Sequence, residues 1–586
     1  MTDIPALLAK AEEYVALEDH EFFRKQVRAL IRDKSVDELN DRFYTDLAFG
    51  TGGLRGVIGG GYNRMNPYTV KRATQGLANY IKKFVPDLKN ASVVIAFDSR
   101  NFSDLFSLKA ALVLCANGIK TYLFAGLRPT PELSFAVRQL KATAGIVVTA
   151  SHNPPEYNGY KVYWSDGGQI VPPHDTGIID EARAIRGAVR ELTREEAVSQ
   201  GLLVMIDREI DEPFIEMVKG QSLRPSLVKA QGNTLTVVYT PLNGTGAIPV
   251  SRALRDLGIT VIFVPEQRDP DGNFPTVPYP NPEDPAAMKL ALELGKARKA
   301  DLVMGTDPDA DRLGIAAPEG EGFRLITGNE LGVLLLDYIL STRKESGTLP
   351  AQGAFIKTIV TTELERLIAE SYGLASIDVL TGFKYIGEKI RRFEEDGNGP
   401  EFIFGNEESY GYLTSKEVRD KDAVSSAVMT AELTLFHRSQ GRTLVNRLRE
   451  LWVRYGYFKE SGISGAFKGE AGVATMRRLM DSLRSKPPMA FAGQQVVMVK
   501  DYLSGTTTKS GEGSVKDIEL PSSNVLQFFC ADSSIVTARP SGTEPKIKFY
   551  ISCRSAAGME LDAAMQSVQA ASDAITGQIR KLLDEV

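Results

Sequence analysis

The chain has 586 residues, too many for one hydrophobic core; at roughly 150 residues per domain, about four domains are expected. Lys plus Arg number 69 and Asp plus Glu 74, and the net charge of −5 excludes bulk nucleic-acid binding, which needs a strongly basic footprint. Cys115, Cys530 and Cys553 stand far apart in no metal-ligand pattern, which excludes a disulfide framework and predicts buried thiols in a reducing compartment.

The N-terminus, MTDIPALLAKAEEYVALEDHEFF, carries acids where a signal peptide needs a basic start and an unbroken apolar stretch. Residues 1–45 read instead as a helical arm, with Leu7, Leu8, Tyr14, Phe22, Val27 and Ile31 set among charges. Apolar windows such as LGVLLLDYIL at 331–340 fall short of the roughly 18 to 20 residues that span a bilayer. A cytoplasmic protein with no membrane partner is expected.

GTGGLRG, 50–56, comes next. Its G-x-G-x-x-x-G spacing departs from the dinucleotide fingerprint, and no convincing buried strand precedes it. A glycine loop presenting Arg55 to a phosphate is expected, with a surface turn as the plain alternative.

One strand-helix-strand pattern then occurs three times. SVVIAFDSR precedes ALVLCANGIKTYLF, LTVVYTPLNGTG precedes ALRDLGITVIFV, and GAFIKTIVTT precedes LIAESYGLASIDVL. Each helix-to-strand joint has a glycine (Gly118, Gly258, Gly373) where a left-handed C-cap is wanted, followed by Ile or Leu. Such alternation predicts α/β units.

Inside the first copy, TASHNPPEYNGYK at 149–161 leaves the apolar run 144–148. Ser151 and His152 adjoin as in a hydrolase, but no second histidine and no aspartate is set up to activate the serine. Inside the second, GTDPDADRLG at 305–314 places Asp307, Asp309 and Asp311 at alternate positions, which in an extended loop share one face. Three converging carboxylates call for a hard cation, Mg2+ or Ca2+. The calcium-loop pattern fails, because Arg312 and Pro318 stand where glycine and glutamate are required. An aspartyl-nucleophile phosphatase, whose D-x-D also follows a strand, stays open on this loop alone, as does a solvated acidic turn.

GNEESYGY at 405–412 follows the apolar FIF. Glu407 and Ser409 point the same way if the chain stays extended, a placement suited to a sugar's vicinal hydroxyls; a solvated corner is the bland alternative. The charges of VRDKDAV, after it, read as a solvated face. Beyond about 465, NVLQFFCA, SSIVTA and KIKFYISC are short strands, and a helix over 559–583 completes a smaller α+β domain. Between the last two strands ARPSGTEPK, 538–546, combines the planar fork of Arg539, the hydroxyls of Ser541 and Thr543, and Gly542 for close backbone approach, a phosphate cradle. The absence of a Walker pattern counts against a nucleotide-driven motor.

In this order, TASHNPPEYNGYK, GTDPDADRLG, GNEESYGY and RPSGTEPK, with GTGGLRG ahead, resemble the signature of the α-D-phosphohexomutase superfamily, the phosphoglucomutases and phosphomannomutases. The resemblance runs from about residue 45 almost to the C-terminus. It implies three related mixed α/β domains and a smaller α+β domain around a central cleft, with bounds expected at 46–212 (phosphoserine loop), 213–328 (metal loop), 329–464 (sugar loop) and 465–586 (phosphate loop). It further implies an isomerase that turns a glucose 1-phosphate into the 6-phosphate through a bound glucose 1,6-bisphosphate. Ser151 would carry the phosphoryl group, and Asp307, Asp309 and Asp311 would hold Mg2+ with it. Arg55, His152, Lys161 and Arg312 would form the catalytic surround, Lys161 as proton carrier and His152 as support. Glu407 and Ser409, with Thr381 and Gly382 of TGFKYIG and Lys421 beyond, would bind sugar, and Arg539, Ser541, Gly542 and Thr543 the phosphate at rest.

The arm before residue 45 is absent from the shortest members and resembles a subgroup that includes phosphopentomutases and sugar-bisphosphate synthases, so mannose or ribose remain alternatives to glucose. An aspartyl-nucleophile phosphatase, a non-catalytic sugar-phosphate binder and a metal-dependent glycosyltransferase are the competing classes, and the last leaves the serine loop unexplained.

Overall fold

A computed structural model describes residues 3–47, 53–467, 469–541 and 546–585. The chain forms two compact units, one of residues 1–328, 383–405 and 409–440, the other of 329–382, 406–408 and 441–586.

The first unit begins with the expected arm, α1 (Ile4–Leu17), α2 (Glu21–Arg32) and α3 (Val36–Phe43). Tyr14 meets Phe43, Tyr62 and Tyr68 edge-on and fastens the arm to the body. Phe23 and not Phe22 is the buried ring, at 0% against 46% exposure, because Phe23 shares a helical face with Val27.

Beyond the arm, β1 (Gly53–Val57), β2 (Ser92–Phe97), β3 (Lys120–Phe124), β4 (Ala144–Val148), β5 (Tyr157–Trp164) and β6 (Leu203–Ile206) form a sheet in the order β1-β5-β4-β2-β3-β6. Every residue of β4 is buried, as a parallel strand covered on both faces requires. A second sheet, order β11-β10-β9-β7-β8, uses β7 (Thr236–Thr240), β8 (Thr260–Phe263), β9 (Leu302–Thr306), β10 (Leu313–Glu319) and β11 (Gly322–Ile326).

The two sheets share one plan. β4-β2-β3 and β9-β7-β8 are parallel in the same order, and β5 and β10 then pair antiparallel to β4 and β9. Gly118, Gly258 and Gly373 all have positive φ (77°, 82° and 77°), so the glycines expected at the three helix ends do adopt the left-handed cap.

In the second unit β12 (Gly353–Thr358) and β13 (Ala375–Val379) pair in parallel. Next in the chain come β14 (Glu401–Glu407) and β15 (Gly411–Leu413), then β16 (Phe458–Ala466), β17 (Ala490–Phe491), β18 (Gln494–Asp501), β19 (Thr506–Lys509), β20 (Gly513–Lys516), β21 (Leu526–Cys530), β22 (Ile535–Pro540) and β23 (Lys546–Arg554). An antiparallel sheet in the order β16-β23-β22-β21-β18-β19-β20 is covered by the helices Gly469–Ser485 and Leu561–Asp584 through Leu479, Leu483, Ile575 and Ile579. The three C-terminal strands read from the sequence are β21, β22 and β23. The ribbon β18–β20 is an addition to that reading, since its outer strand Gly-Ser-Val-Lys is exposed at every position and lacks alternation.

All three cysteines are buried free thiols. Among the described residues no helix is long and apolar enough to cross a membrane.

Candidate active site

The repeated plan explains why serine and aspartates meet. Ser151 lies in the turn between β4 and β5, and Asp307–Asp311 in the equivalent turn between β9 and β10, both at the C-terminal ends of parallel strands, where open α/β sheets place their ligand sites. In chain order the third copy puts residues 408–410 at the same point, after β14.

Ser151 is held with φ 53°, a left-handed conformation that costs about 1 kcal/mol or more for a residue other than glycine. Its N–H donates to Thr149 Oγ1 at 2.8 Å. Its hydroxyl donates to Asp307 Oδ2 at 2.7 Å and stands 3.1 Å from His152 Nδ1. Burial, then Arg312 and Arg55, push the His152 imidazolium well below its ordinary range, so the ring is neutral.

The aspartate loop corrects one expectation. The chain is not extended: Ala310 N donates to Asp307 O at 2.9 Å and Ala310 has φ 48°, so a tight turn gathers the carboxylates. Asp307 Oδ1 then accepts from the N–H groups of Asp311 (3.2 Å) and Arg312 (3.0 Å). One oxygen from each of the three, all buried, lies within 4.8 Å of the others. Asp309 Oδ1 and Asp311 Oδ1 are buried without a hydrogen-bond partner. Buried carboxylate oxygens left without hydrogen bonds, in a cluster this tight, fit a hard divalent cation.

Two lysines flank this cluster. Lys161, on β5, contacts Asp309 Oδ2 at 2.9 Å and Asp311 Oδ2 at 3.7 Å; Lys421 contacts Asp311 Oδ2 at 3.1 Å and Asp420 Oδ1 at 3.1 Å. Lys421, expected at the sugar, thus also stands beside the aspartate cluster. Burial, then Asp309 and Asp311, raise the Asp307 carboxyl well above its usual range. Burial works the same way on Asp309, but Lys161, the Asp307 hydrogen bond and Lys421 overcome it and hold that carboxyl low. Burial also opposes the Lys161 ammonium, yet Asp309 and Asp311 win and keep it charged.

Arg312 Nη1 reaches Glu283 at 2.8 Å. Arg55 lies on β1, so the expected glycine loop is here an edge strand paired with β5, Arg55 opposite Gly159. The reason is steric: a Cβ on Gly53 would stand 1.9 Å from Tyr160 O, and glycine permits that approach. Arg55 Nη1 is 3.4 Å from Asn153 Oδ1. Residues 50–52 lie outside the described residues.

Four further residues belong to this cluster without a signal of their own in the sequence. Thr130 Oγ1 donates to Asp309 Oδ2 at 3.0 Å, Tyr163 OH to Asp420 Oδ2 at 2.7 Å, and Asp98 and Arg100 form a buried ion pair behind the serine loop. Asp98 and Arg100 end the strand motif SVVIAFDSR, where polar residues after an apolar run mark a strand end and nothing more.

In the second unit Gly382 N donates to Glu407 Oε1 at 2.8 Å, which joins two expected sugar contacts. Thr381 Oγ1, beside them, is buried without a hydrogen-bond partner. The extended course assumed for Glu407 and Ser409 is not found: residues 408–410 turn, with Tyr410 at φ 63°. Arg539 stands on β22 opposite Lys548, with Nη1 3.4 Å from Tyr550 OH, and Ser541 N donates to Lys546 O at 2.7 Å. Gly542 and Thr543 lie outside the described residues.

Three family models match the chain: phosphoglucomutase/phosphomannomutase alpha/beta/alpha domain I over residues 46–188, domain II over 212–320 and domain III over 327–455. A phosphoglucomutase of Staphylococcus saprophyticus is 36% identical over 530 residues, 90% of this chain and 94% of its own length. A phosphopentomutase of Homo sapiens is 34% identical over 542 residues, 89% of this chain and 87% of its own. The open form of the Paramecium phosphoprotein pp63/parafusin, a phosphoglucomutase, shares the fold with a TM-score of 0.68 at 18% identity, over 92% of this chain and 95% of that one.

Proposed function

The chain belongs to the phosphoglucomutase/phosphomannomutase family, isomerases of the α-D-phosphohexomutase superfamily, and on that premise we propose that it interconverts α-D-glucose 1-phosphate and glucose 6-phosphate through a phosphoserine and a bound glucose 1,6-bisphosphate. The observation that carries the proposal is the Ser151 hydroxyl, 2.7 Å from one carboxylate of a buried aspartate triplet.

Asp307, Asp309 and Asp311 would hold Mg2+, which when bound neutralises charge on the transferring phosphoryl group. In the forward half-reaction the bond between Ser151 Oγ and phosphorus breaks and a bond from phosphorus to the open sugar hydroxyl forms; the hydroxyl proton passes to Lys161, and a proton gained at Ser151 Oγ restores the serine hydroxyl. Reversal at the other end of the bisphosphate restores phosphoserine. Lys161 is the proposed proton carrier, and Asp309 and Asp311 keep it charged until charge on them is offset. Neutral His152 braces the serine Oγ through Nδ1. Arg55 and Arg312 are assigned to phosphate oxygens, which the planar guanidinium suits through paired N–H donors.

Thr381, Gly382, Glu407 and Ser409 are assigned to the sugar. Arg539, Ser541, Gly542 and Thr543, in a C-terminal domain taken as 465–586, are assigned to the phosphate at rest, which arginine suits through paired N–H donors. Ribose 1-phosphate is the second reading, favoured by the human relative named phosphopentomutase. A panel of glucose, mannose, N-acetylglucosamine and ribose 1-phosphates with trace activating bisphosphate separates them. Glucose 1-phosphate is expected to give the highest kcat/KM, and a tenfold preference for ribose would overturn the choice of sugar.

A further inference from the structure

We propose that Arg100 is a positioning residue for Ser151, acting through the backbone of the serine loop; the inference rests on the reading of Ser151 as the phosphoryl carrier. Residues 151–155 belong to no strand or helix, and Ser151 sits in the left-handed region, so something outside the loop must hold it there.

The buried guanidinium does so. Arg100 Nη1 donates to Pro154 O at 2.8 Å and to Tyr157 O at 3.0 Å, while Nη2 donates to Ser151 O and Asn153 O. Three carbonyls of the loop and that of Tyr157, the first residue of β5, thus converge on a single cation. The cation is itself fixed from behind: its Nε is 3.4 Å from Asp98 Oδ2, its backbone N–H donates to Asp98 Oδ1 at 2.9 Å, and Ser103 Oγ donates to the same oxygen at 2.8 Å. Phe274, from the loop before the second repeat's long helix, covers it with the ring centre 5.0 Å from Cζ. Gly272 lets that loop close in, since a Cβ there would stand 2.5 Å from Asn101 N.

A lysine supplies the charge but no planar fork, so it cannot serve carbonyls on both sides. The consequence falls on the serine side chain. Its carbonyl is pinned to Arg100 while its Oγ lies 2.7 Å from Asp307, so release of the loop turns Oγ away from the carboxylates. The same Oγ position must serve donation and recovery of phosphate, so its loss slows both half-reactions while sugar binding, assigned elsewhere, stays.

The test compares wild-type protein with Arg100→Lys and Asp98→Asn. Peptide mapping first establishes that wild-type Ser151 carries phosphate; its absence would sink the underlying reading of the serine and leave no doubt which claim had failed. Given phosphoserine, folded Arg100→Lys is expected to lose about 100-fold in kcat and in single-turnover phosphoryl transfer, with KM changed less than about threefold. Asp98→Asn, which keeps the guanidinium but frees it, is expected to lose about tenfold in kcat, again with KM held, and it decides the matter if Arg100→Lys does not fold. Wild-type transfer rates in a folded variant, or KM rising in step with the fall in kcat, would overturn the proposal.

Discussion

Thr130 and Asp309 are joined twice: Thr130 N donates to Asp309 O at 2.9 Å and Thr130 Oγ1 to Asp309 Oδ2 at 3.0 Å. The first residue of a helix in one repeat thereby orients a carboxylate in the next. Thr130→Val keeps the shape and removes the second bond, so Mg2+ affinity should fall about 10- to 100-fold, while Thr130→Ser should retain it. Calorimetric titration of Mg2+ checks both.

The aspartate triplet leaves two buried oxygens without hydrogen bonds, and occupation by a divalent ion relieves that cost. At 100 times its Kd, Mg2+ should stabilise the protein by about 2.7 kcal/mol, seen as a rise in the unfolding midpoint that EDTA reverses. Asp309→Asn should abolish that rise.

Burial, with Glu330 nearby, pushes the Glu460 carboxyl up to about 7, against 4.5 for a free side chain, even though Thr362 and Ser552 hydrogen-bond to it. The folded state therefore holds this proton more tightly than the unfolded chain does. The associated stability is fully present below pH 4.5 and is lost as pH rises toward 7, by about 3 kcal/mol at most. Glu460→Gln should flatten that loss, so that urea midpoints of variant and wild type diverge from pH 5 to pH 8 in the variant's favour.

The arm is part of the fold's core as well as its surface. Phe23 is fully buried against Phe102 and Phe106 of the body, so Phe23→Ala should cost about 3–5 kcal/mol in chemical denaturation. Phe22→Ala, at a ring 46% exposed, should cost well under half as much.

The repeats and their glycine caps were legible because a helix end that turns sharply into a strand demands positive φ, and glycine meets that demand visibly. Ser151 and the aspartates stood out because each follows an apolar strand at once. What carried less signal was partnership over distance. Arg100 and Ser151 are 51 positions apart, and Tyr163 and Asp420 are 257 apart, so nothing local marks them as neighbours. Lys421 reads as one charge in a solvated run, yet its side chain is only 12% exposed and pairs with Asp311. The aspartates converge for a different reason from alternation, since a turn at Ala310 brings them together. Arg55 shows the converse: glycines that suggest a loop instead admit a strand to the sheet edge.

Single-turnover transfer from labelled enzyme tests the central claim most directly. Protein carrying radiolabelled phosphate is mixed with unlabelled glucose 1-phosphate and Mg2+, quenched at intervals, and the peptide 149–161 and the sugar fraction are counted. A phosphoserine mutase loses label from Ser151 and gains it on sugar at a rate no slower than kcat, and Ser151→Ala takes up no label and is inactive. A peptide that never carries label, or a Ser151→Ala protein that isomerises at the wild-type rate, would contradict it.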